Sequence, residues 1–164
     1  MSARRISLAL GLALAGSAAL ADGPRVALTP TYRSECASCH VPYAPGHLGA
    51  DSWRRLMGRL DQHFGSNAQL DPATLSELSS WLQSHAATGR RAQAQPPEDR
   101  ITTSAWFQRE HHEIDSAVWR HAAVKSAANC AACHTQADQG SYRERELRIP
   151  SGLPAALRRG FDAP

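Results

Sequence analysis

The sequence predicts an all-α fold with extensive coil, arranged as two small helical units. Three observations predict it. Apolar residues recur at helical spacing in several short stretches, and no stretch reads convincingly as a strand. Ten prolines and eleven glycines interrupt those stretches often enough to keep the helices short. Periodicity also vanishes between Ala86 and Arg100, where Gly89 and the Pro96-Pro97 pair mark a linker with one Cys-x-x-Cys-His sequence on either side.

Taken in order, the N-terminus reads as a secretory signal peptide. Arg4 and Arg5 form its charged region, Ile6 to Ala15 its apolar stretch, and Ala19-Leu20-Ala21 a small-x-small cleavage site. Residues 1–21 are expected to be removed and the mature protein to begin near Asp22. The apolar run is shorter than the roughly 20 residues a membrane-spanning helix needs. Little after the Arg-Arg pair supports export in the folded state, so the expectation is export unfolded and residence in the periplasm. The two arginines leave with the leader, and sixteen basic against fifteen acidic residues remain. No basic stripe with interleaved aromatics is present, so nucleic-acid binding is not expected.

The first unit is assigned to residues 22–92. Cys36-Ala37-Ser38-Cys39-His40 is followed by a loop rich in proline and glycine, Val41 to Gly49. A helix is expected from Ser52 to Phe64, capped by Asp51 or Ser52, with Trp53, Leu56, Met57 and Leu60 on its apolar stripe. His63 continues that stripe on the Leu56/Leu60 side. A second helix opens at Asp71-Pro72, an N-cap followed by proline in the first turn. It carries Leu75, Leu78 and Leu82 and ends near His85.

The second unit is assigned to residues 93–164. A helix is expected from Thr103 to Ala123, placing Phe107, His111, Ile114, Val118 and His121 in one sector. The alanine-rich segment Lys125 to Gln136 is expected to form a short helix carrying Cys130-Ala131-Ala132-Cys133-His134. After Gly140 the chain is charged and irregular, and Pro150, Gly152 and Pro154 argue against regular structure.

The two pentapeptides use all four cysteines, and each is the attachment signature of a c-type haem. The paired thiols, Cys36 with Cys39 and Cys130 with Cys133, add to haem vinyl groups as thioethers. His40 and His134 then place an imidazole on each iron. Covalent haem also answers a shortage of core. Units this small usually need a staple, and a flat apolar cofactor gives short helices something to pack around. Two disulfides or a zinc site are the non-haem alternatives. A redox-active Cys-x-x-Cys lacks its βαβ context here, and zinc does not account for a histidine directly after each second cysteine.

The opposite face of each iron then decides the chemistry, because a second strong ligand suits electron transfer and an open face suits binding or catalysis. Once the leader is removed Met57 is the one methionine, so at most one haem can pair histidine with methionine. Six histidines lie outside the motifs: His47, His63, His85, His111, His112 and His121. For the first haem His63 leads, on the inward face of its helix, with His85 and Met57 as rivals; His47 is read as a surface residue. For the second, His111 shares a face with Phe107 and Ile114, His121 lies in the same sector, and His112 points towards the side of Trp119.

These residues together resemble the bacterial dihaem cytochrome c family, from about Glu35 to Pro150. The first unit contributes Ser52-Trp53-Arg54-x-Leu56-Met57, Leu60-x-x-His63-Phe64-Gly65 and Leu70-Asp71-Pro72-Ala73-Thr74. The second contributes Arg100-Ile101-Thr102, Trp106-Phe107-x-Arg109-x-His111, Val124-Lys125-Ser126-Ala127-Ala128-Asn129 and Arg148-Ile149-Pro150. The resemblance implies a small cytochrome-c-like N-terminal haem domain, an irregular helical C-terminal haem domain and bis-histidine ligation through His63 and His111. It also implies a small high-spin monohaem cytochrome and a membrane b-type cytochrome as partners. Only peripheral contact at the membrane partner and a monomeric state are expected. The chain departs from the pattern at His47, where an apolar residue is usual. It departs again in a longer, more basic tail after Pro150, read as a solvated terminus with docking as the alternative. The expected function is single-electron transfer from a membrane donor to a soluble haem-protein acceptor, without substrate turnover. A peroxidase-like haem enzyme and a small-gas sensor are the alternatives; the short chain argues against the first, and the lack of a signalling domain in the sequence against the second.

Overall fold

The computed structural model describes residues 26–161. The expected leader, 1–21, lies outside them. Among the described residues the architecture is helical with coil. No strands form, only isolated bridges at Gly49/Ala87, His63/Ser66 and His134/Leu147. No helix there is long and apolar enough to cross a membrane.

The first helix, α1 (Pro30–Cys36), delivers Cys36 at its last residue. The Thr29 side chain caps it by accepting from the Tyr32 N–H, and Pro30 occupies the first turn. Thr29 and Pro30 mark this start locally, although no apolar period accompanies them. The second helix, α2 (Ala50–Met57), buries Ser52, Trp53, Leu56 and Met57. It starts before the expected cap and stops at Gly58, a poor helix former, rather than running on to Phe64. The chain continues through a 3₁₀ turn, Leu60–Gln62, which leaves His63 as its C-cap. The third helix, α3 (Pro72–Ser84), forms where expected. Asp71 Oδ1 accepts from the Ala73 and Thr74 N–H groups at 3.0 and 3.1 Å. Its Leu78 and Leu82 are fully buried, each worth about 2 kcal/mol of transfer free energy. Packed against α2, Leu28, Tyr32 and Leu48, they make the first core.

Residues 86–100 are not a free tether. They contain a short helix, α4 (Arg90–Gln93), and a 3₁₀ turn, Pro97–Asp99. Asp99 is 2% exposed and takes a two-pronged ion pair from Arg55 of α2, at 2.7 Å to Oδ1 and 3.0 Å to Oδ2. Burial, the largest single influence, pushes the Asp99 carboxyl up, but the hydrogen bonds from Arg55 and Ser52 and the charges of Arg55 and Arg59 together outweigh it and hold the group below its ordinary value. A charged pair, invisible to an apolar pattern, therefore ties this segment down.

The expected helix over Thr103 to Ala123 is two helices, α5 (Ala105–Glu110) and α6 (Ser116–Arg120). Asp115 accepts from the Ala117 N–H at 2.7 Å and starts a new helix inside what reads as one apolar sector. The Cys130 segment is a 3₁₀ turn, Cys130–Ala132, and not the short helix expected over Lys125 to Gln136. The last helix, α7 (Ala155–Arg158), belongs to a tail that is packed, not solvated. Leu153 is buried with Val118 and Val124, and Leu157 and Phe161 lie against that second core. At Gly160 an added Cβ would collide with the Glu113 carbonyl, so only glycine allows so close an approach.

The two halves meet directly. Arg33 donates to the Asp138 carbonyl at 2.6 Å and to Gln139 Oε1 at 3.1 Å. The Tyr43 hydroxyl donates to the Ala128 carbonyl at 2.8 Å. His47, expected at the surface, is 7% exposed at this seam. Its ring stacks on Trp106 at 5.0 Å and meets Tyr142 edge-on at 4.5 Å. Burial first, then the nearby Arg91 charge, lowers its pKa to about 3 and keeps it neutral.

Candidate haem sites

Each Cys-x-x-Cys-His sequence faces one further histidine. His40 and His63 have ring centroids 6.1 Å apart with planes inclined by 31°. His134 and His111 have centroids 6.2 Å apart with planes at 74°. A metal–imidazole bond of about 2.0 Å, plus about 1.1 Å from nitrogen to ring centre on each side, puts two rings sharing one metal about 6.2 Å apart. Both pairs therefore have the span that one iron between two imidazoles requires.

Local structure sets these rings. His40 follows the end of α1, and its Nδ1 donates to the Val41 carbonyl at 2.7 Å while Tyr43 stacks on it at 4.7 Å. His111 caps the end of α5 and donates from Nδ1 to the Phe107 carbonyl at 2.9 Å. A carbonyl only accepts, so these bonds put the proton on Nδ1 and leave Nε2 as the lone pair a metal takes. His63 and His134 keep Nδ1 buried without a partner. Burial, followed by the facing His40, lowers the pKa of His63. Burial, followed by His111, takes His134 down to about 4. Burial also lowers His111. Low pKa values hold these rings in the neutral form that metals bind.

The thiols fit the same cofactor. Burial, followed by the Glu35 charge, raises Cys36 to about 11, and burial raises Cys130 to about 11 and Cys133 as well. A reactive redox thiol or a zinc ligand needs the opposite shift. Among the described residues no three of His, Cys, Asp or Glu converge as a donor set for a bare ion. Apolar surface is where a flat hydrophobic ring needs it. The large hydrophobics left exposed among the described residues are Phe64, Leu147 and Ile149. Phe64 follows His63, and Leu147 pairs with His134 across an isolated bridge. The residues present thus fit a haem at each motif, with Cys36, Cys39 and His40 holding one and Cys130, Cys133 and His134 the other.

The remaining candidates lie elsewhere. Met57 is buried in the first core. His85 ends α3, exposed, with Nδ1 at 2.9 Å from the Trp81 carbonyl. His112 is exposed beside Glu113. His121 caps α6 and accepts from the Ala123 N–H. Trp119 sits edge-on to His111 at 5.9 Å, not on the side of His112.

Comparison with known proteins points the same way. The sequence model of the dihaem cytochrome c family matches residues 32–142. Among curated proteins none matches. The X-ray structure of a dihaem cytochrome type c from Shewanella baltica OS155 is 35% identical, with a TM-score of 0.65, over 74% of this chain and 93% of that one. The crystal structure of a dihaem cytochrome c from Rhodobacter sphaeroides is 37% identical, with a TM-score of 0.61, over 71% and 99%. A second Rhodobacter sphaeroides structure is 35% identical, with a TM-score of 0.63, over 73% and 100%.

Proposed function

Because this chain belongs to the dihaem cytochrome c family and so carries electrons on two c-type haems, we propose that it is a periplasmic single-electron shuttle with two histidines on each iron. His63 completes the first haem and His111 the second. The observation that carries this reading is the pair of ring separations, 6.1 and 6.2 Å, each between a motif histidine and one other histidine. When bound, the haems supply two one-electron iron couples.

The chain's part is to hold the imidazoles and exclude water, so that both irons rest with two histidines and electrons pass without substrate turnover. A second imidazole stabilises ferric iron more than a thioether does, so both potentials lie below those of His/Met cytochromes. The donor is a membrane b-type cytochrome and the acceptor a small high-spin monohaem cytochrome, a pairing taken from the family and not from a surface of this protein. Cleavage after Ala21 and export put the protein between them.

Electron paramagnetic resonance of the oxidised protein, with His63→Met and His111→Met, tests the ligands. Two low-spin ferric signals are expected, each altered by one substitution. A high-spin ferric signal from the unaltered protein, or a substitution that changes neither haem, overturns the assignment. The intact mass tests processing and loading: the chain less residues 1–21 plus two haems.

A further inference from the structure

The two non-motif histidines are held very differently. His111 is tied from several sides. Its backbone N–H donates to the Phe107 carbonyl at 3.1 Å and its Nδ1 to the same oxygen at 2.9 Å. Its ring stacks on Phe107 at 4.1 Å and 20°, and Trp119 closes it edge-on. The Ile114 N–H donates back to the His111 carbonyl at 3.1 Å. Behind that turn, Gly160 lies against the Glu113 carbonyl, so the packed tail braces it.

His63 has little of this support. Its Nδ1 is buried with no partner. Besides His40, the ring beside it is Phe64, tilted at 59° and itself 42% exposed. The backbone N–H reaches the Leu60 carbonyl at 3.3 Å from the end of a three-residue turn, and the Ser66 N–H donates to the His63 carbonyl at 3.0 Å, so the main chain is tied while the ring is not. Phe64 follows at φ +49° and Gly65 at φ +92°. A bulky residue in that left-handed region is strained, and such strain gathers at ligand clamps and switches. A cavity of about 310 Å³ opens beside His63, bounded by Leu56, Arg59, Gln62 and Phe64 among others, and none of its walls comes from the Cys36–His40 motif. A hydrogen-bonded Nδ1 fixes the ring and strengthens Nε2 as a donor; without one, the ring is free to turn and binds more weakly.

We infer that His63 is the exchangeable sixth ligand and His111 the fixed one, so that the first haem site admits a small lone-pair donor such as carbon monoxide or cyanide while the second stays closed. The inference rests on the ligand assignment above. In the exchange the His63 Nε2 lone pair leaves the iron and stays on the imidazole. A lone pair of the incoming molecule takes its place, and no electron or proton is transferred. His63 must leave first, so uptake is slow and limited by its departure.

Carbon monoxide added to the reduced holoprotein, followed by stopped-flow absorbance, tests this. A single equivalent is expected to bind, at a rate that stops rising as carbon monoxide is increased. In His63→Ala that plateau disappears and binding becomes fast and proportional to carbon monoxide. In His111→Ala the slow phase persists and a second, fast equivalent appears. Independently of any variant, cyanide added to the oxidised unaltered protein should change one low-spin signal, the one that His63→Met alters, and leave the other. Uptake of two equivalents by the unaltered protein, no uptake at all, or a slow phase lost in His111→Ala and kept in His63→Ala overturns the inference. Failure of the ligand assignment looks different: a high-spin signal before any ligand is added, or a His63 substitution without spectral effect.

Discussion

The imidazole planes of His111 and His134 cross at 74°. Those of His40 and His63 are inclined by only 31°. Rings that are nearly parallel overlap the same iron d orbital and split it from its partner. Crossed rings act on both orbitals and leave them nearly degenerate. The oxidised protein is therefore expected to give two unlike low-spin signals, one rhombic and one strongly anisotropic with a large maximal g value. His63→Met should remove the rhombic signal and His111→Met the anisotropic one. Two superimposable rhombic signals would count against the ring geometry.

Asp99 ties the 86–100 segment to α2 through Arg55, at 2% exposure. Asp99→Asn is expected to destabilise the holoprotein by about 1–3 kcal/mol, since it removes a charge-assisted pair and leaves Arg55, itself partly exposed, without its partner. Its folded pKa lies below the unfolded value. The stabilisation is thus complete above the unfolded pKa and is lost as pH falls through the lower, folded one. Urea unfolding of both proteins at neutral and acid pH should show the difference between them shrinking on acidification. A constant difference sinks the assignment.

His47 titrates in the other chemical sense with the same pH trend. Its folded pKa is about 3 against an ordinary 6.5. Between those values the unfolded chain binds a proton that the folded chain refuses. Stability should fall with decreasing pH across that window by up to about 1.4 kcal/mol per unit. His47→Leu keeps an apolar body at the seam and removes the proton, so its stability profile should be flatter over the same range. Parallel profiles would show that His47 is not the group responsible.

The tail is expected to matter for the second core. Leu153→Ala empties a fully buried position and should cost about 2–4 kcal/mol. Gly160→Val meets the Glu113 carbonyl and should displace the tail, costing about 1–3 kcal/mol. Limited proteolysis should then cut near residues 150–161 in the variant and spare the parent. Unchanged protease resistance in Gly160→Val would mean the contact is not required.

Tyr43 links the two motifs, stacking on His40 and donating to the Ala128 carbonyl two residues before Cys130. Tyr43→Phe retains the stack and loses the hydrogen bond. A loss of about 1 kcal/mol is expected, read by denaturant midpoint, with both low-spin signals intact. A change in either signal would mean that the hydroxyl also sets a ligand.

The residues of the candidate site were largely legible in the chain. Covalent haem demands two thiols and an imidazole at fixed spacing, so both motifs stand out without a fold. His63 stood out by continuing an apolar stripe, whereas the apolar sector that holds His111 also holds His121, and the resemblance to the family favoured His111 between them. The helix over Pro72–Ser84 was equally plain, since Asp71 and Pro72 are local signals. Other features were hidden for identifiable reasons. The α1 cap at Thr29 precedes the motif with no apolar period to advertise it. The Asp115 cap interrupts an apolar sector that reads as one helix. The buried state of His47 depends on Trp106 and Tyr142, residues remote in sequence.

By itself, then, the sequence determined which cofactor is bound, where it is attached and which histidines are available, because these follow from covalent and coordination chemistry at short range. Tertiary structure alone decided the pairing distances, the 31° and 74° ring angles, the anchoring of His111 and the looseness of His63. These depend on where separate short segments come to rest, and a ring's orientation is set by packing and hydrogen bonds from neighbours that its own stretch of chain does not encode.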